Sequence, residues 1–244
     1  MSTDAARMAP AGAAANPAAL PDPALLTPAP WDQAAFGLPA WELRAYSAAA
    51  LRLACATPGL HSIKVDPLAD MRLLQQHGFY YADTLLATTA TPQRLRPLDP
   101  APGLSVSRRL DPAAALAICH GAFAHGRFQR DRNMDQAGAL RRYDNWLRQL
   151  LAAGQVYGLY HGVELAGFIG YHGHSLVLHA VAPAWRGRGL ARHWWRLVID
   201  ALFAAGHTEV DSSVSAANVA VLNLYASLGF SFQRPQDIYH RIVP

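Results

Sequence analysis

The segment Val181-Ala-Pro-Ala-Trp-Arg186-Gly187-Arg188-Gly189-Leu190-Ala191 constrains what this chain can fold into more than any other. It follows an apolar run, Leu176 to Val181, that reads as a strand. It precedes apolar residues at Leu190, Trp194, Leu197, Val198, Ala201, Leu202 and Ala205, whose spacing predicts a helix stopped by Gly206. A strand, a turn built from Pro183, Gly187 and Gly189, and a helix start leave several backbone N–H groups free to converge, because the first turn of a helix has no internal acceptors. Such a convergence suits an anion, and a pyrophosphate in particular. Arg186 and Arg188 add permanent positive charge at its mouth. The competing reading is a structural strand-turn-helix with a glycine-rich turn and no ligand.

A second motif follows: Asn218-Val-Ala-Val-Leu-Asn-Leu-Tyr225-Ala-Ser-Leu-Gly229-Phe230 reads as a helix, a glycine stop and a strand entry. Arg186-x-x-Gly189-x-Ala191 after a strand resembles the acyl-CoA pyrophosphate loop of the GNAT superfamily of N-acetyltransferases, and residues 218–230 are similar to that superfamily's next helix and final strand. The resemblance implies an α/β fold with a mixed, largely antiparallel central sheet flanked by helices, and acetyl-CoA as co-substrate. It places the cofactor on Arg186, Gly187, Arg188, Gly189, Leu190 and Ala191, on a backbone N–H near Val181, and on Asn218 for the pantetheine arm. It also makes Tyr225 the general acid, although a core aromatic beside Leu222 and Leu224 would look the same. His179 is the one titratable side chain inside the cofactor strand and needs little tuning to act as a base near neutrality. A buried structural histidine, with a water chain serving the amine, is the alternative.

At 244 residues the chain has room for one or two domains of ~150 residues. With 52% hydrophobic and 16% charged residues, against a usual charged share of about 25%, it can build a core. No apolar run reaches the ~18 residues of a membrane span. Residues 1–30 are Ala- and Pro-rich without periodicity, and lack the basic and apolar blocks of a signal peptide, so a disordered tail is expected. Cys55 and Cys119 lie far apart in apolar helical surroundings and read as free thiols in a reducing compartment, hence a cytoplasmic protein. The net charge of +4 comes almost wholly from arginine, since Lys64 is the only lysine. No basic-aromatic pattern suited to nucleic acid accompanies it, and anionic small molecules account for it better. His172-x-His174 lacks a third ligand in sequence, so no metal is expected.

The two halves of the chain look alike. Met71-Arg-Leu73-Leu74-Gln-Gln-His-Gly78-Phe79 ends a helix and enters the strand Tyr80 to Thr88, as Asn223 to Phe230 does later. A strand at Trp41 to Tyr46, a helix at Ser47 to Ala56 and a strand at His61 to Asp66 precede it. We therefore expect a degenerate GNAT-like half-copy over residues 31–90, a Pro-rich linker over 91–103, and the acyl-CoA-binding domain over 104–244. In the latter, helices are predicted at Leu110 to Ala124 and Gly138 to Ala153, and strands at Gln155 to Tyr160, Val163 to Tyr171 and Ser175 to Val181.

Between the two helices lies Ala124-His-Gly126-Arg127-Phe128-Gln-Arg130-Asp131-Arg132-Asn133-Met134, a polar loop followed by Tyr143-Asp-Asn-Trp146. With Trp31 to Pro39 and Gly78 to Leu85, it resembles the dTDP-fucosamine acetyltransferase type of nucleotide-sugar N-acyltransferase. Gly126 stands where a serine is usual in that group, and Arg132 where a proline is usual. The resemblance implies acetyl transfer to a primary amine of a nucleotide-linked amino sugar, with Arg127, Arg130, Asp131 and Arg132 on the acceptor. Direct attack is expected, since neither CoA motif holds a cysteine to carry the acyl group. Acetylation of peptide N-termini or small amines, or acyl-CoA sensing without catalysis, are the other readings. The partner is thus a small molecule, with no nucleic acid or membrane, and the protein a monomer or homodimer.

Overall fold

The computed structural model describes Asp22 and residues 24–244. In chain order the elements are β1 (Leu26–Pro28), α1 (Pro30–Phe36), β2 (Ala40–Leu43), α2 (Ala48–Ala56), β3 (Gly59–Val65), α3 (Arg72–Gln76), β4 (Tyr80–Ala90), β5 (Leu104–Ser107) and α4 (Pro112–Cys119). There follow α5 (Arg127–Arg130), α6 (Gln136–Ala152), β6 (Val156–His161), β7 (Glu164–His172), β8 (Ser175–Val181), α7 (Ala191–Ala204), β9 (Val210–Ser215), α8 (Val219–Leu228) and β10 (Ser231–Val243). Most of the expected tail lies outside the described residues. Its last part departs from expectation: Leu26–Pro28 forms an edge strand on β2, and Leu26 is buried, because apolar Leu25 and Leu26 close the second hydrophobic cluster.

The strands form one ten-stranded sheet in the order β1-β2-β3-β10-β4-β9-β8-β7-β6-β5. It is the expected mixed sheet, in which β2–β3 and β8–β9 pair parallel and the other neighbours antiparallel. Two stretches of the chain share a connection. Each parallel pair is joined by a helix, α2 or α7, and is followed by a further helix, α3 or α8, and a final strand, β4 or β10. The final strands are exchanged: β10 lies between β3 and β4, and β4 lies between β10 and β9. The two halves therefore share a sheet, with the exchanged strands at its centre.

Local chemistry explains the element ends. Ser47, Asp111, Asp135 and Asn218 accept amides in the first turns of α2, α4, α6 and α8. The helix predicted over Leu110 to Ala124 is shortened to Pro112–Cys119; it begins with Pro112 in its first turn, after the extended, capping Asp111. Gly229 takes a left-handed φ of 98° to end α8, and a Cβ there would strike the backbone carbonyl of Arg94. The turn after β6 falls at Gly162 and Val163, one residue later than predicted. The largest cluster, around Trp194, Trp195, Val198, Ile199 and Tyr225, packs α7 and α8 onto the sheet.

Candidate active site

The parallel pair β8–β9 is joined at only two register positions, Ser175–Asp211 and Leu176–Ser212. Beyond them the strands part, so residues 177–181 on one side and Ser213, Val214 and Ser215 on the other face a cleft instead of each other. Backbone N–H and C=O groups along a parted strand must find partners outside the sheet, which suits an extended ligand with amide groups. The cleft opens into a cavity of about 640 Å³.

The glycine loop forms one end of this cavity. Gly187 and Gly189 have φ of 72° and 73°, the region only glycine enters freely, and a Cβ on either would point into open space. No side chain caps α7 at Leu190. Among the described residues, no backbone carbonyl takes the amides of residues 187–191. An uncapped helix start behind two left-handed glycines fits a pyrophosphate. Arg186 is turned back, its Nε donating to Val181 O at 2.7 Å, and the Arg188 guanidinium lies 4.7 Å from the Trp185 ring centroid. Both line the cavity with Leu190 and Ala191. Asn218 lines it too, with Oδ1 accepting Val221 N at 3.3 Å, which leaves its amide N–H groups for a ligand.

Tyr225 is fully buried and off the cavity wall. Its hydroxyl lies 3.0 Å from His179 Nε2, and His179 is on the wall. Burial pushes the Tyr225 hydroxyl up to about 12 and the His179 imidazole down to about 4, so at neutral pH both are uncharged. With the imidazole proton on Nδ1, the hydroxyl donates and Nε2 accepts. The two sequence candidates for acid and base are thus one hydrogen-bonded pair.

The opposite wall comes from α5, α6 and the N-terminal half. Arg127, Phe123, Tyr143 and Trp146 line it, with Glu42, Lys64, Asp83 and Leu85. The predicted 124–134 loop contains a helical turn, α5, because Phe128 inserts into the third cluster and stacks on His240. Gly126 stands at the start of that turn, and a Cβ there would lie 2.5 Å from the Tyr143 hydroxyl, so a serine would require Tyr143 and Gln129 to shift. Arg127 has no carboxylate within salt-bridge distance among the described residues. Burial, and then its neighbour Arg142, lower its hold on the proton. Both guanidiniums lie 4.8 Å from the Phe128 ring centroid.

The other arginine-loop candidates are placed differently. Arg130 pairs with Asp83 at 2.9 Å. Asp131 is buried away from the cavity, accepting from Tyr80 Oη, His240 Nδ1 and Asn133 N, each at 2.9 Å. Burial pushes its carboxyl up, but those bonds outweigh it and hold it below the usual range. Arg132 is exposed and off the cavity wall. Of the four arginine-loop candidates only Arg127 lines the cavity; Arg130 is tied to it through Asp83, and Asp131 and Arg132 lie off its wall.

Asp83 carried no role in the sequence reading. Three donors converge on its Oδ1: Arg130 Nη1 at 2.9 Å, Ser215 Oγ at 2.7 Å and Thr84 N at 2.9 Å. Among the described residues Oδ2 has no partner, and burial pushes the carboxyl up. Only the strand exchange brings β4 against β9, so no local pattern could reveal this carboxylate.

Comparison with known proteins agrees with this geometry. Residues 124–230 match the model of the acetyltransferase (GNAT) family. The spore coat polysaccharide biosynthesis protein SpsD of Bacillus subtilis (strain 168) is 25% identical over 175 residues, covering 68% of this chain and 60% of that protein. A GCN5-related N-acetyltransferase from Sphaerobacter thermophilus superposes with a TM-score of 0.56 at 17% identity, over 79% of this chain and 62% of that one. A tandem GNAT protein from the clavulanic acid biosynthesis pathway gives 0.53 at 13% identity, over 84% and 76%. The chain thus has the GNAT fold, and spans about three fifths of the length of SpsD and of the Sphaerobacter protein.

Proposed function

We propose that this protein transfers an acetyl group from acetyl-CoA to the primary amine of a small polar acceptor, and that the acceptor is a nucleotide-linked amino sugar. One observation carries the reading: a single cavity joins the open glycine loop before α7, the parted strands β8 and β9, and a cationic-aromatic wall at Arg127. The loop holds the co-substrate's pyrophosphate and the parted strands its pantetheine arm, with a free amide at the end of β8 polarising the thioester carbonyl. Arg127, charged at any working pH, takes an anionic group of the acceptor. A sugar acceptor accords with the likeness to SpsD, whose name places that protein in polysaccharide biosynthesis.

An amine attacks only when neutral. Asp83 is the group suited to docking the acceptor's ammonium and taking its proton, since Oδ2 is free and burial strengthens the carboxylate as a base. His179 is less suited, because Tyr225 already occupies its Nε2. The nitrogen then bonds to the acyl carbon and sheds its second proton as the carbon–sulfur bond breaks; the thiolate takes a proton, and the one shed by nitrogen restores the donor through solvent. Tyr225 is the reservoir of that proton and His179 its link to the cavity.

The test is a panel of dTDP- and UDP-linked amino sugars, peptides and polyamines assayed by release of free thiol. Turnover of a nucleotide-linked sugar is the expected result, and Arg127→Ala should raise its KM by about 10-fold or more, the worth of a charge-assisted hydrogen bond, while sparing the KM of acetyl-CoA. Fast acetylation of a peptide or polyamine, with every nucleotide sugar inert, would defeat the acceptor assignment.

A further inference from the structure

A second cavity, of about 530 Å³, lies against an adjoining face of α6. Pro30, Trp31 and Ala34 of α1 and its approach form one wall, and Arg142, Asn145, Arg148 and Gln149 of α6 form the other. Arg142 lines both cavities. Its guanidinium is fixed there by buried Asp32, and its side chain remains 18% exposed.

Trp31 is 51% exposed, among the few large apolar side chains of the described residues left in solvent, while α1 is otherwise well anchored. Phe36 packs closely against Gly138, and Arg141 donates twice to the Ala35 carbonyl. Folding therefore does not require this indole at the surface. Facing it are two guanidiniums and two carboxamides. Asn145 Oδ1 accepts from Arg148 Nη1 at 2.9 Å, which leaves the Asn145 amide N–H groups free, and the Gln149 amide makes no hydrogen bond among the described residues. A flat π-surface beside amide donors and acceptors, with cations to one side, matches a nucleobase and its attached phosphates.

We propose that this groove binds the nucleoside of the acceptor: the base stacks on Trp31, Asn145 and Gln149 meet its edge, and the diphosphate crosses from Arg148 to Arg142 and Arg127. The proposal rests on the nucleotide-sugar reading above and adds the site that selects the nucleotide. The order of groups supports it. Arg127 and Arg142 flank Phe128 between the groove and the main cavity, and Asp83 waits in the main cavity where the sugar's amine must arrive. A nucleoside diphosphate sugar has its base, phosphates and sugar in that same sequence.

Calorimetry with thymidine diphosphate and uridine diphosphate, on the full chain saturated with CoA, tests it directly. The wild type should bind one of them, and Trp31→Ala should weaken binding by about 10-fold or more, the scale of one lost base-aromatic stack. Trp31→Phe should recover most of the loss, and CoA affinity and melting temperature should stay unchanged in both variants. Trp31→Ala binding the nucleotide as tightly as wild type would overturn the groove while leaving nucleotide-sugar turnover intact. A wild type that binds neither nucleotide would also overturn it, and the acceptor panel would then show whether the nucleotide-sugar reading falls as well.

Discussion

The two halves of the sheet carry the same connection, strand-helix-parallel strand, and treat the helix start in opposite ways. In the N-terminal half, β2 runs into α2 through four residues, and Ser47 caps the helix by accepting the Ala50 amide. In the C-terminal half, β8 runs into α7 through a long turn with two left-handed glycines, and no side chain caps the helix. The strands differ in step. β2 and β3 hold three register pairs, whereas β8 and β9 hold two and then part. A capped helix beside closed strands has satisfied its own amides, whereas an uncapped one beside parted strands has left them for a ligand. The N-terminal half forms a wall of the cavity, to which it contributes Glu42, Lys64, Asp83 and Leu85.

The sharpest divergence lies one helix later. Counting back four residues from the glycine that ends each helix reaches Tyr225 in α8 and Leu74 in α3, and both side chains are fully buried. Only the C-terminal half keeps a hydroxyl, and only there does a histidine receive it. Tyr225→Phe should therefore lower kcat by roughly 10² to 10⁴ with CoA affinity nearly unchanged, since the ring still fills its core position. Wild-type turnover would make Tyr225 as structural as Leu74 and erase the distinction.

The next largest effect concerns the open helix start. Gly189→Asp sets a carboxylate where the pyrophosphate should lie, and a left-handed aspartate costs only about 1–2 kcal/mol of backbone strain. CoA binding should weaken by about 10²-fold or more, the repulsion adding to the lost approach of the backbone, in a chain that still folds. Calorimetry of CoA against this variant is the check, and unchanged affinity would leave α7 no more a ligand site than α2.

The glycine-arginine turn, the helix after it and the apolar strand before it were legible because each is written in contiguous residues: turn glycines, an apolar helical spacing, an apolar run. Strand exchange was not, because nothing within β4 or β10 says which half's sheet each will enter. Asp83 was hidden with it, since its partners Arg130 and Ser215 are distant in sequence and meet only through the exchange. Asp131 shows the opposite case. An acidic residue amid arginines reads as part of a binding surface, yet Tyr80 and His240, from the exchanged strands, draw it into the core.

A smaller effect separates the buried pair by pH. Burial lowers His179 in the folded state to about 4, against about 6.5 for an ordinary histidine, so between those values the unfolded chain takes up a proton that the folded chain refuses. The stability held above about pH 6.5 is thus lost as pH falls toward 4. His61 and His240, also lowered by burial, act with the same sign. His179→Gln should flatten part of the fall in melting temperature between pH 7 and pH 4.5. An unchanged slope would mean that the imidazole is no drier than a surface histidine.

The smallest effect tests the other side of the comparison. Ser47→Ala removes the side chain that accepts the Ala50 amide and leaves α2 uncapped, as α7 is. Loss of such a cap costs about 0.5–2 kcal/mol, which a denaturant titration resolves as a lowered midpoint with unchanged slope. Opening the amides alone should create no anion site, because β2 and β3 stay paired and the short connection has no glycine to bring backbone near a phosphate. CoA should therefore bind with wild-type affinity and a stoichiometry of one. A second CoA on Ser47→Ala would show that the cap alone had separated the two halves, and that the left-handed glycines and parted strands of the C-terminal half add little to its binding.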